Sequence, residues 1–143
     1  MATLRRLTID DHAAILALWQ RAGLHSIRPE GRDSRAEFER QLAEGQVAIG
    51  LEESSQLIGV VLATNDTRKG WINRLAIDPG YRRQGYGEQL VRAAEDALHA
   101  AGLHLIAAFI EEGNAASLTL FEKLGYAAHP KIVYVSKRDS MDA

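Results

Sequence analysis

The chain has 143 residues, 46% of them apolar and 25% charged, and its 17 basic and 19 acidic side chains leave a formal net charge of −2. That length supports one domain with a core of its own, and the near-neutral balance argues against wrapping nucleic acid or coating an anionic membrane surface. No cysteine is present, which removes disulfides, thiolate metal sites and a cysteine-bound acyl intermediate.

Leu4–Ile9 reads as a first strand. Asp10 and Asp11 then open a helix whose apolar stripe is Ile15, Leu18, Trp19 and Ala22, and Gly23 ends it. Gly23–Asp33, with Pro29, His25, Arg28 and Arg32, reads as a loop, and the capping box Ser34-Arg35-Ala36-Glu37 predicts a second helix through Leu42. Gln46–Leu51 and Leu57–Thr64 form a predicted hairpin about the polar turn Glu52–Gln56. After a second turn at Asn65–Gly70, Trp71–Asp78 is the next strand. Gln84–Ala101 is a long amphipathic helix with Leu90, Val91, Ala94, Ala97 and Leu98 on one side, stopped by Gly102. Leu105–Ile110 is a nearly all-apolar strand, the pattern expected where both sheet faces are covered. A short helix over Asn114–Leu124 closes at Gly125, and Ile132–Val135 is the last predicted strand.

The order β-α-α-β-β-β-α-β-α-β implies an α/β (α+β) fold: a mixed, mostly antiparallel central sheet with helices on both faces and one parallel crossover around the long helix. One domain over residues 1–143 is expected, with 138–143 as a flexible tail. Met1–Arg6 is not followed by the apolar run of a signal peptide, and Leu105–Ile110 falls far short of the roughly 20 residues that span a bilayer. A cytoplasmic location is the expectation.

Between the strand Trp71–Asp78 and the long helix lies Arg82-Arg83-Gln84-Gly85-Tyr86-Gly87. Amides in a helix's first turn lack internal partners, the helix start carries partial positive charge, and glycines let a diphosphate approach the main chain. Arg82 and Arg83 add charge-assisted donors. A basic turn that merely caps a helix would read the same way. The nucleotide alternatives fit worse, since position 90 is leucine where a dinucleotide fingerprint needs glycine, and no P-loop motif occurs.

Arg82-x-x-Gly85-x-Gly87, following Leu75-Ala76-Ile77-Asp78-Pro79, resembles the pyrophosphate-binding motif of the GNAT acetyltransferases. Asn114-x-x-Ser117-x-x-Leu120-Phe121-x-x-Leu124-Gly125-Tyr126 is similar to that family's second segment, and the element order matches over nearly the whole chain. The resemblance implies acetyl-CoA as co-substrate, direct attack of a neutral amine on the thioester, and a small-molecule or peptide amine as acceptor. It implies that amides of Arg83, Gly85 and Gly87 with their neighbours Arg82, Gln84 and Tyr86 hold the diphosphate. Main-chain groups of Leu75, Ala76 and Ile77 would pair with the pantetheine arm, and an amide there would face the thioester carbonyl as an oxyanion site. With ordinary helical dihedrals at position 85, an acidic side chain there would block the diphosphate without unfolding the chain. Asn114 would contact the pantetheine or cap its helix, and both roles stay open.

Two departures from the family pattern bear on catalysis. Some relatives that acetylate protein N-termini place a glutamate where this chain has Phe109; Glu111, two residues on and on the same face of a continuing strand, is the candidate base. A base is useful because, at pH 7, a lysine-like amine is neutral in roughly one molecule in 2,500. Asp78, beside Pro79, reads as a turn-ordering carboxylate. The family's usual tyrosine, which protonates the departing thiolate, is Phe121 here, and Tyr126 and Tyr134 read as packing residues. A thiol leaving group needs little acid help, so catalysis survives this change; a non-catalytic acyl-CoA-binding sensor is the alternative. The five histidines (12, 25, 99, 104 and 129) show no metal spacing, and no metal is expected. The resemblance implies that roughly Gly23–Leu42 walls the acceptor pocket. Its arginines suit either an acceptor carboxylate or plain solvation, and an edge strand near the C-terminus could pair two subunits.

Overall fold

The computed structural model describes residues 1–143. Its elements are β1 (Thr3–Arg6), α1 (His12–Arg21), α2 (Arg35–Ala43), β2 (Val47–Glu53), β3 (Gln56–Asn65), β4 (Gly70–Ile77), α3 (Tyr86–Ala100), β5 (Ile106–Ala107) and α4 (Ala115–Lys123). The five strands lie in sequence order, antiparallel from β1 to β4, with β5 parallel to β4 through the crossover helix α3.

Side-chain alternation gives the sheet two apolar faces. On one, Ile49 and Leu51 of β2, Ile58 and Val61 of β3 and Ile72 of β4 pack on the α3 stripe Leu90, Val91, Ala94 and Leu98, with Phe121 of α4. On the other, Ala48, Val60 and Ala76 pack on Ile15, Leu18 and Trp19 of α1 and Phe38 of α2. Ile72 and Ala76 sit on opposite faces although they are an even number apart. The register shows why: Val60 faces Ala76 while Leu62 faces Asn73, so β4 carries an extra residue there.

Local signals set most element boundaries. Ser34 caps α2, its hydroxyl accepting the Glu37 N–H at 3.2 Å. Only the hydroxyl half of the predicted box forms there, since the Glu37 carboxylate accepts from Arg40; a full box stands ahead of α1, where the Thr8 N–H donates to Asp11 Oδ2 at 2.8 Å. The β2–β3 hairpin pairs Glu53 with Gln56 across Ser54 and Ser55, both left-handed at φ 51° and 63°. That is the geometry of a two-residue primed turn, built here without glycine.

Two expectations about the C-terminal part are corrected. The strand Leu105–Ile110 shrinks to Ile106–Ala107, and Ile132–Val135 forms no strand, so the sheet has five strands rather than six. The two results share a cause. Without an outer neighbour β5 is an edge, so Leu105 and Phe109 stay exposed although their sequence reads as doubly covered. The chain after α4 has no helix or strand, and its end turns back so that the Asp142 carbonyl lies against Gly31.

Candidate active site

The candidate site begins where two parallel strands part. β4 and β5 pair only at Gly70 with Ile106 and at Trp71 with Ala107. From Ile72 to Ile77 the β5-side edge of β4 has no strand beside it. The extra residue in β4 marks this stretch, and Arg74 there is left-handed at φ 56°. Leu75, Ala76 and Ile77 therefore lie on an open edge, at the end that leads into α3.

The turn after β4 is fixed by Asp78, whose carboxylate accepts the Gly80 N–H at 2.9 Å and the Arg21 Nε–H at 3.0 Å. Arg82 reaches back to the Ala22 carbonyl at 3.3 Å, tying the loop to the end of α1. Arg83 is left-handed at φ 64°, and Gly85, the residue immediately before α3, at φ 80°. No side chain caps α3, so its first amides remain available to an anion. Position 85 does not have ordinary helical dihedrals: the loop enters α3 through a left-handed residue. A Cβ at Gly85 would meet nothing within 4 Å, whereas one at Gly87 would come within 3.2 Å of Leu120 Cδ2. At Gly87 the side chain of Leu120 from α4 comes close to α3, a contact the sequence motif does not reveal.

Asn114 caps α4, with Oδ1 accepting the Ser117 N–H at 3.2 Å. Phe121 is buried in the α3-side core and meets the Tyr126 ring edge-on at 4.9 Å. The Tyr126 hydroxyl donates to Glu95 at 2.6 Å, and burial, then the Glu95 carboxylate, pushes its phenol well above the ordinary range. Glu111 lies in the turn between β5 and α4, exposed, with its carboxylate unpartnered. The alternation that placed it on the face of Phe109 assumed a strand that stops at Ala107. Phe109 itself stacks on Trp71 at 4.9 Å, with Tyr134 at 4.9 Å on it, beside the point where β4 and β5 part.

Next to this site runs the loop between α1 and α2. Its organiser is a buried ion pair absent from the sequence reading: Arg74 of β4 and Asp33, 2.9 Å apart, their side chains 12% and 7% exposed. Burial lowers the Arg74 pKa; Asp33 offsets this, while Arg32 and Arg28 add to it, and a guanidinium remains charged regardless. The only local hint was an arginine inside an otherwise apolar strand end; its partner is 41 residues away. No group of three or more His, Cys, Asp or Glu side chains is placed to hold a metal ion, and no helix is long and apolar enough to cross a membrane.

A mixed sheet whose parallel pair parts beside the glycine-marked start of a helix is the acyl-CoA N-acyltransferase fold. The sequence profile of the acetyltransferase (GNAT) family matches residues 12–126, and the chain belongs to that family. It is 30% identical over 118 residues to an acetyltransferase of Pectobacterium atrosepticum, covering 82% of each chain. To an acetyltransferase of Photorhabdus laumondii it is 29% identical over 135 residues, or 93% of this chain and 92% of that one. Among solved structures it resembles the ribosomal-protein-S18-alanine N-acetyltransferase of Escherichia coli with a TM-score of 0.74 at 25% identity, over 87% of this chain and 77% of that one. The PaiA N-acetyltransferase of Thermoplasma acidophilum in complex with coenzyme A shares the fold with a TM-score of 0.78 at 18% identity, over 90% and 91%.

Proposed function

We propose that this acetyltransferase moves the acetyl group of acetyl-CoA to a primary amine of a small molecule or peptide, by direct attack in a ternary complex. The observation that carries this reading is the open edge of β4 from Ile72 to Ile77 running into the uncapped start of α3 at Gly85. The main chain of Leu75, Ala76 and Ile77 would pair with the pantetheine arm. The amides of Arg83, Gly85 and Gly87, with Arg82, Gln84 and Tyr86 beside them, would hold the diphosphate.

In the reaction a neutral amine nitrogen forms a bond to the thioester carbon, and the carbon–sulfur bond breaks with its electron pair leaving on sulfur. The developing oxyanion is assigned to a main-chain N–H on β4, an interaction that costs no reorganisation. Glu111, exposed and unpartnered, is the carboxylate assigned to take the amine proton through water. Phe121 has no proton to give, and a thiolate needs little help to leave because a free thiol titrates near 8.5. Initial rates measured over both substrates should give intersecting reciprocal plots. Parallel lines would mean a covalent acyl-enzyme and contradict the scheme.

Phe121 also favours a second reading, in which the chain binds acyl-CoA as a sensor without turning it over. Binding with no amine-dependent thiol release would select it.

A further inference from the structure

The loop that follows α1 is held by a single strand residue. The Arg74 guanidinium donates to Ser26 Oγ at 2.6 Å, to the Ser26 carbonyl at 3.0 Å and to Asp33 Oδ2 at 2.9 Å. It lies over the Trp19 ring at 5.3 Å, and the Arg74 carbonyl accepts the Trp19 indole N–H at 3.3 Å. Asp33 passes the constraint on: Oδ2 also accepts the Arg28 N–H at 2.7 Å, and its carbonyl meets His12 Nε2 at 2.8 Å. Both ends of the segment Ser26–Asp33 are therefore bonded to one guanidinium. That guanidinium rises from the left-handed residue of β4, within the stretch where the strand's outer edge is open.

The arrangement costs free energy twice. A non-glycine residue at φ 56° is disfavoured by roughly 1–2 kcal/mol. A buried ion pair gives back little over apolar packing, although breaking one partner away leaves a costly unpaired charge. Strained backbone and a buried charge on one residue beside the open edge of β4 point to a position held for function. Here what is held is geometry. The same residue shapes the donor edge with its main chain and orders the neighbouring loop with its side chain.

We infer that Arg74 is a positioning residue for the acceptor amine: through Asp33 and Ser26 it locks Ser26–Asp33 as a rigid wall beside the open edge of β4. Donor strand and acceptor wall then form one unit, and an amine bound against the wall has a fixed approach to the thioester. Fixed orientation is a large source of rate in group transfer, and a wall loosened by an ångström loses much of it. The inference rests on the acetyl-transfer reading for its kinetic consequence, but the ordering of the loop is measurable without turnover.

The test uses the full chain in four forms: wild type, Arg74→Met, Asp33→Asn and Arg74→Lys. Thiol release is followed with acetyl-CoA saturating and an accepted amine varied; acetyl-CoA affinity is measured by calorimetry, and amide hydrogen exchange is read at Arg28 and Asp33. Arg74→Met and Asp33→Asn should each lower kcat/KM for the amine roughly 10- to 100-fold, the range for losing hydrogen bonds to a buried charge. Acetyl-CoA affinity should stay within about threefold, since the groups assigned to hold it are untouched. Arg74→Lys should recover part of the loss through Asp33 alone. The Arg28 amide should exchange at least about tenfold faster in both disruptive variants. Should Arg74→Met not fold, the nearly isosteric Asp33→Asn carries the test. A folded variant with wild-type amine kinetics, or one that loses acetyl-CoA affinity as strongly as amine kcat/KM, would overturn the inference. Where wild type acetylates no amine, the acetyl-transfer reading falls by itself, and unchanged Arg28 exchange would still refute the lock.

Discussion

Replacing Gly85 by alanine separates the phosphate cradle from the fold. Gly85 is left-handed at φ 80°, and a Cβ there meets no protein atom within 4 Å. The stability cost is therefore that of an L-residue in the left-handed region, about 1 kcal/mol, or about 3 °C in melting temperature for a chain of this size. The methyl instead enters open space at the start of α3, where the diphosphate is proposed to sit. Losing one or two charge-assisted bonds to phosphate should weaken acetyl-CoA roughly 10- to 100-fold. Gly102→Ala is the matched control: φ is 87°, a Cβ again meets nothing within 4 Å, and the residue lies beyond the other end of α3. Calorimetry and thermal melts on both variants should show equal losses of stability and a loss of affinity at Gly85→Ala alone. Equal affinities in the two variants would place the diphosphate elsewhere and refute the reasoning.

Acetyl-CoA at about 100 times its dissociation constant should stabilise the wild type by about 2.7 kcal/mol, visible as a shifted melt. Substituting Ser54→Asn with Ser55→Gly gives the two left-handed turn positions residues that suit them, and should raise stability in urea by about 1 kcal/mol. Asp11 is held below the ordinary carboxylate range, chiefly by hydrogen bonds from Arg5 at 2.7 and 3.0 Å. Its contribution is complete above the unfolded value and lost as pH falls through the lower folded one; urea melts should show Asp11→Asn costing stability at pH 7 and progressively less as pH falls below the ordinary carboxylate range. Phe121→Tyr adds a hydroxyl to a ring 5% exposed, and thiol-release rates should rise at most about tenfold because thiolate departure is already easy.

What the sequence discloses here is what local chemistry decides. The N-cap at Ser34, the α3 stripe from Leu90 to Leu98 and the glycine at 85 each act over a few residues, so each is legible without a partner in view. The strands at the C-terminal end were not legible, because an apolar run such as Leu105–Ile110 has the same composition whether or not another strand covers it. The role of Gly87 was hidden for a similar reason, since its neighbour Leu120 comes from a helix that the motif does not contain. Arg74 was the hardest to see. Its partner Asp33 is distant in sequence, and the extra residue in β4 that aims it leaves no signature in composition or alternation.

Acetyl transfer to nitrogen is tested by free-thiol release from acetyl-CoA with a panel of amino acids, polyamines, aminoglycosides and N-terminal peptides, the product being identified by mass spectrometry. Amine-dependent release is expected, with one N-acetylated product formed for each thiol freed. Tight binding of acetyl-CoA with no amine in the panel accelerating thiol release would contradict it.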